Sequence, residues 1–136
     1  MGKNTITFLS LLLTLTFYSS ARHSLTIRIE GLQNNKGSVR LGLFDKEEKL
    51  IQGASQAIER NSCTIILDSL PAGIYAFKYY HDENKNQRLD FNWMGIPTEG
   101  YGFSNNAKGR LGPPAFEKMT FELHSDTTQQ CKPVYF

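Results

Sequence analysis

SLTIRIEGLQNNKGSVRLGLF, residues 24–44, decides the fold class. Leu25, Ile27 and Ile29 alternate with Thr26, Arg28 and Glu30. After a turn at Asn34-Asn35-Lys36-Gly37, Val39, Leu41 and Leu43 alternate with Arg40 and Gly42. A period of two puts every second side chain on one face of an extended strand, whereas a helix would need apolar residues three and four apart. Outward from this hairpin the same period recurs. Cys63, Ile65 and Leu67 share a face, as do Tyr75, Phe77 and Tyr79; Met119, Phe121 and Leu123 alternate with Lys118, Thr120, Glu122 and His124, and a short strand is expected around 134–136. Asp45 to Arg60 is the least regular segment: Lys46 to Leu50 can start one helical turn, and Gly53 favours a loop and a weak edge strand. Gly, Asn, Pro and Asp punctuate the gaps, so the pattern predicts a single antiparallel β-sandwich of about seven strands with one long irregular loop.

The N-terminus reads differently. Lys3 gives a positive start, Ile6 to Phe17 is apolar or small, and Ser19-Ser20-Ala21 has small residues before a cut after Ala21. This is the layout of a secretory signal peptide over residues 1–21, and the run falls short of the roughly 20 apolar residues of a membrane span. The mature chain expected at 22–136 is one domain in size, without repeats or linkers. The formal charge of +2 becomes +1 once Lys3 is removed. With no basic block and no aromatic-plus-Arg run, nucleic acid is excluded as a partner class. A periplasmic or secreted location follows from the leader.

Two cysteines, Cys63 and Cys131, would then sit in an oxidising compartment. An even count there favours one disulfide, worth about 4 kcal/mol by chain entropy for so long a loop. Two separate buried thiols are the alternative.

The segment that carries chemistry is His81-Asp82-Glu83-Asn84-Lys85-Asn86-Gln87-Arg88-Leu89-Asp90. Oxygen-bearing side chains fall at Asp82, Asn84, Asn86 and Asp90, positions 1, 3, 5 and 9 of a calcium loop, and Arg88 holds position 7, where a backbone carbonyl serves. Calcium takes six to eight hard oxygens in flexible geometry, which short Asp and Asn side chains supply; magnesium prefers to keep its water. Position 6 is Gln87 rather than Gly, position 12 is Trp93 or Met94 rather than Glu, and no helices flank the loop. It is therefore a related loop between strands, with Glu83 or Glu99 available as a further carboxylate. Its affinity is expected at about 10⁻⁴–10⁻³ M. The alternative is an Asx-rich connection that caps only its own backbone.

Leu70-Pro71-Ala72-Gly73-Ile74-Tyr75 resembles the entry turn of transthyretin-like and Cna-B-type sandwich domains. In Cna-B-type repeats a similar Asp/Asn loop binds calcium. The run His81-Asp82-Glu83-Asn84 through Asp90-Phe91-Asn92, then residues 95–106 (GIPTEGYGFSNN) and Gly112-Pro113-Pro114-Ala115-Phe116, taken with Gly31-Leu32 and Lys36-Gly37, resembles the bacterial exported family DUF2141 across nearly all of the mature chain. That resemblance implies an extracytoplasmic, transthyretin/prealbumin-like sandwich and no established activity. Family members usually carry Gly in the Asp/Asn loop where this chain has Lys85 or Gln87.

Trp93 to Phe116 is long for a connection in a compact domain and rich in Gly, Pro and aromatics. Trp93, Tyr101 and Phe103 are candidates for an aromatic binding platform, with Arg110 and Lys108 for an anionic group beside it. The alternative is that the rings plug one end of the sandwich. No HExxH, CxxC or nucleophile elbow occurs, so no enzyme is expected. The reading is an exported, non-enzymatic envelope domain, stabilised by Ca2+, that binds a protein, glycan or small ligand through the 93–116 loop. The alternatives are a glycan-active hydrolase using Asp90 and Glu99, and a purely structural accessory.

Overall fold

The computed structural model describes residue 16 and residues 19–136; apart from 16 and 19–21, the leader expected at 1–21 lies outside the described residues. Eight strands follow: β1 Arg22–Glu30, β2 Ser38–Asp45, β3 Leu50–Ala57, β4 Ser62–Pro71, β5 Gly73–Asp82, β6 Tyr101–Phe103, β7 Phe121–Leu123 and β8 Thr127–Cys131. A single helical turn, α1 at Phe116–Met119, precedes β7. They form two sheets of a sandwich. The first has the order β4-β1-β8; the second runs β3-β2-β5-β6, with β7 pairing the opening residues of β5.

The alternating residues face inward as their period demands. Leu25, Ile27 and Ile29 of β1, Val39 and Leu43 of β2, and Phe77 of β5 are fully excluded from solvent. Each large apolar side chain so buried contributes about 1.5–3 kcal/mol. Phe77 also meets Phe121 edge-on, with ring centroids 6.0 Å apart. Ser104, wholly buried, accepts the Phe77 N–H at 3.0 Å and donates to the Met119 carbonyl, tying the end of α1 to the middle of β5.

Four expectations are corrected. β8 runs parallel to β1, so the sandwich is not wholly antiparallel. The last strand is β8; Val134 makes only an isolated bridge to Tyr101. Met119 ends a helical turn rather than opening a strand. The Cys63–Cys131 disulfide is not formed: both thiols are free and buried. The register gives the reason, because Cys63 and Cys131 each pair with Ile29, from opposite sides of β1. Two strand spacings are about 9–10 Å, beyond the roughly 4.4–6.8 Å between Cα atoms that a disulfide bridges. Burial pushes the Cys63 thiol up to about 11 and that of Cys131 to about 12. Tyr79 reaches into the same region, its hydroxyl buried with no hydrogen-bond partner among the described residues and its ionisation pushed up first by burial and then by the neighbouring thiols.

The sheet edges are treated unequally. Asn105 and Asn106 adopt left-handed backbone (φ 61° and 49°) beside β8. The Asn106 amide donates to the Gln130 carbonyl at 2.9 Å and accepts the Lys132 N–H at 3.0 Å, so a side chain takes the place of a neighbouring strand. At the far edge of the second sheet Val134 exchanges two backbone hydrogen bonds with Tyr101.

Candidate functional site

Two features meet at the end of β5: the Asp/Asn loop, and a groove on the outer face of the second sheet.

Asp82, the last residue of β5, is fully buried, and its two carboxylate oxygens accept the backbone N–H groups of Asn86 at 3.1 Å and Gln87 at 3.0 Å. The Asn84 side chain accepts the Asn86 N–H, and the Asn86 side chain accepts the Arg88 N–H, each at 3.2 Å. The chain therefore winds as successive Asx turns with every second side chain directed to the middle. Winding this tightly requires left-handed backbone at Lys85 (φ 59°) and Gln87 (φ 66°). Those are the two places where glycine was expected, and a side chain there costs roughly 1–2 kcal/mol. Gln87→Gly is accordingly expected to stabilise the protein by about 0.5–1 kcal/mol, after the greater chain entropy of glycine is deducted, read from the urea midpoint. An unchanged or lower midpoint would contradict the strain assignment.

Asp90 closes the loop. Its carboxylate accepts the Asn84 amide at 2.7 Å and the Asn86 amide at 2.8 Å, with the Arg88 guanidinium 3.5 Å away. The Asn86 and Asn84 amides beside it hold its carboxyl below the usual aspartate range. Its contribution to stability is thus present above the ordinary aspartate range and lost as pH falls through the lowered value. Glu99, only 5 % exposed, accepts the Glu83 N–H at 3.0 Å with one oxygen and the Asp90 N–H at 3.2 Å with the other. It frames the loop from outside. Among the described residues no group of three or more His, Cys, Asp or Glu is arranged to hold a metal; the loop's inward set is instead carboxylates mixed with amides.

His81 precedes Asp82 on β5. It is fully buried, with Nε2 2.7 Å from the Lys36 carbonyl and Nδ1 2.9 Å from the Tyr135 hydroxyl. The carbonyl can only accept, so Nε2 carries a proton and donates it there. This joins the β1–β2 turn, the Asp/Asn loop and the C-terminal segment.

The groove lies on the residues out of phase with the core. Register aligns Arg40 with Tyr80 and Tyr80 with Tyr101 across β2, β5 and β6, and beside that row Gly42 with Lys78 and Lys78 with Phe103. A cavity of about 630 Å³ lies over these rows and the Phe44 ring. The Lys78 ammonium sits 4.8 Å above that ring and 3.1 Å from Glu48. A second cavity of about 570 Å³ shares Leu89, Tyr101 and Phe103 with the first and continues between the 91–97 and 110–113 segments. Of the four expected ligand-binding residues, Tyr101, Phe103 and Arg110 therefore line one groove. Trp93 stands apart, 91 % exposed at the tip of a small hairpin whose turn is capped by Asn92. Phe136 stacks on Tyr101, centroids 6.2 Å apart, so the rings wall a groove instead of plugging the sandwich. Among the described residues neither Arg40 nor Arg110 has a salt-bridge partner.

Sequence reasoning missed Arg40, Phe44, Lys78 and Tyr80. The signal was present: on β2 and β5 the outward positions carry aromatics where a solvated face calls for small polar residues.

A model of the family DUF2141, described as uncharacterized protein conserved in bacteria, matches residues 27–131. No curated protein and no solved structure matches the chain.

Proposed function

The chain belongs to the DUF2141 family, and we propose that it is an exported, non-enzymatic binding domain whose outer-sheet groove takes an apolar or aromatic ligand carrying an anionic group. The observation that carries this is the convergence of Tyr101, Phe103 and Arg110 on one groove. Apolar walls with a few placed polar groups are the usual make-up of small-ligand sites. Aromatic faces supply area at low entropic cost, and the guanidiniums of Arg40 and Arg110 supply the charge. Export is supported by the leader pattern and by β1 beginning at Arg22, the residue after the expected cut. Among the described residues no helix is long and apolar enough to cross a membrane.

The same proposal gives the Asp82–Asp90 loop a calcium ion, held by the side chains of Asp82, Asn84, Asn86 and Asp90 and the Arg88 carbonyl. The support is orientational. The Asn84 and Asn86 side chains already converge on the Asp90 carboxylate, so loop positions 3, 5 and 9 are directed to one centre. The ion is a brace for the groove's neighbouring segment. The hydrolytic reading is less well supported, because Glu99 is buried against the loop, where it accepts two backbone N–H groups, and lines neither groove cavity.

Anilinonaphthalene sulfonate, a pair of aromatic systems with one sulfonate, is a suitable probe. Saturable binding to the native protein is expected, weakened about tenfold or more by Phe103→Ala and by Arg110→Gln with the melting curve unchanged. Binding that is unsaturable, or indifferent to both substitutions, would overturn the groove as the site.

A further inference from the structure

Five of the ten large apolar side chains that stand exposed among the described residues belong to two short segments. Phe91, Trp93, Met94 and Ile96 come from the small hairpin, and Leu111 from the stretch before α1. The two segments flank one cavity and so stand side by side. Single exposed apolar residues are ordinary, whereas a cluster of them marks a surface that meets something else. Three features say what it meets. Trp93 lines neither groove cavity, and Leu111 is wholly exposed at the rim of the second, so both project as tips. A protein partner would need a packed pocket for each tip, while a fluid apolar phase needs none. The charge around the tips has one sign. Residues 91–98 and 107–115 contain no acid and two exposed cations, Lys108 and Arg110, neither with a salt-bridge partner among the described residues. Of the nearest acids, Asp90 and Glu99 are engaged inside the Asp/Asn loop and Glu117 lies on α1. Lastly, the hairpin satisfies its own backbone. The Asn92 N–H donates to the Ile96 carbonyl and the Gly95 N–H to the Asn92 carbonyl, while the Met94 and Ile96 N–H groups donate to the Asn92 side chain, all at 2.9–3.0 Å. Across the cavity Pro113 and Pro114 have no N–H to satisfy. In water such economy is unnecessary; in a lipid environment every unpaired backbone group is costly.

We propose that these two segments dock at the surface of a lipid bilayer that carries anionic headgroups. Trp93, Met94 and Leu111 enter the boundary between headgroups and acyl chains, and Lys108 and Arg110 stay among the headgroup phosphates. Tryptophan, with an apolar body and one polar N–H, settles at that depth. Apolar tips flanked by cations bind anionic membranes by adding buried apolar area to electrostatic attraction. The docking stands on the two segments and does not depend on what the groove binds.

Trp93 is the only tryptophan of the chain, so its fluorescence reports the contact directly. Vesicles of phosphatidylcholine mixed with phosphatidylglycerol should shift its emission to the blue, and lipids brominated on their acyl chains should quench it. Vesicles of phosphatidylcholine alone should bind about tenfold more weakly or worse. The mixed vesicles should lose affinity to the same degree with Leu111→Asp, and with Lys108→Glu combined with Arg110→Glu. All three positions are exposed, so circular dichroism should show these variants folded. Co-sedimentation with the mixed vesicles separates the docking from the groove. Trp93→Ala should weaken pelleting and leave binding of anilinonaphthalene sulfonate as it was, whereas Phe103→Ala should pellet as the unmodified protein does. Emission unmoved by the mixed vesicles would overturn the proposal. So would pelleting indifferent to both Trp93→Ala and Leu111→Asp, because the contact would then lie elsewhere. A blue shift produced by free glycerol phosphate would also overturn it, since the segments would then hold a soluble anion.

Discussion

Alanine at Gly37 is expected to destabilise the protein by about 2–5 kcal/mol, lowering the melting temperature by roughly 15 °C. Gly37 has φ +64°, where a Cβ costs roughly 1–2 kcal/mol by itself. Its Cβ would also stand 1.8 Å from the Asp82 carbonyl oxygen and 2.9 Å from Glu83 Cα. These are backbone atoms, so no rotamer change relieves the clash, and the two chains must separate; overpacking of this kind costs about 1–3 kcal/mol more. The β1–β2 turn would be pushed off the Asp/Asn loop, loosening the contact of His81 with the Lys36 carbonyl and of Asn34 with Glu83. A melting temperature within a few degrees of the unmodified protein would show that the two loops are not in contact as described.

Asp82→Ala should come next in size, at about 2–4 kcal/mol, since two backbone N–H groups lose a charged acceptor inside a buried pocket. The same substitution separates the calcium proposal from the bare Asx-turn reading. In the unmodified protein, raising calcium to about 10 mM after EDTA treatment should raise the melting temperature. Saturation at 100 times the dissociation constant corresponds to about 2.7 kcal/mol. Magnesium should do much less, and Asp82→Ala should abolish the response. A flat calcium response in the unmodified protein would leave a loop closed by its own side chains, with Asp82 important for structure alone.

The four longest inward rows were legible because each strand alternates without interruption: Leu25, Ile27 and Ile29 could face only one way. β8 was not legible. In Thr127-Thr128-Gln129-Gln130-Cys131 the half-buried face is polar, Gln129 being occupied by Asn105 rather than by apolar neighbours. β3 was faint for the opposite reason, since an edge strand buries almost nothing and leaves no pattern. Met119 looked like a strand residue because its spacing to Phe121 and Leu123 is even; the Ser104 hydroxyl holding its carbonyl is a tertiary contact that no local pattern encodes. The expected disulfide failed because compartment and count say nothing about which strands are neighbours. At the candidate site the Asp/Asn spacing marked the loop, with Glu83 or Glu99 as a further carboxylate; Glu99 accepts two of the loop's backbone N–H groups, while Glu83 meets Asn34. The groove was only half visible, through Tyr101, Phe103 and Arg110, because its floor is the outward phase of strands read for their inward one.

The parallel pairing of β8 with β1 also bears on when the protein can fold. β1 has β4 on one side from early in the chain, but its other neighbour is Thr127–Cys131, about a hundred residues later, as in the pair Leu25↔Thr127. Closing so distant a contact is slow, and sheets dominated by such pairings fold in about milliseconds to seconds. Until Thr127–Cys131 arrives, the central strand of the first sheet has an open side and Ile29 lacks its Cys131 neighbour. The first sheet is therefore completed only when Thr127–Cys131 reaches β1, a step that the β1–β4 and β2–β5 pairings do not require.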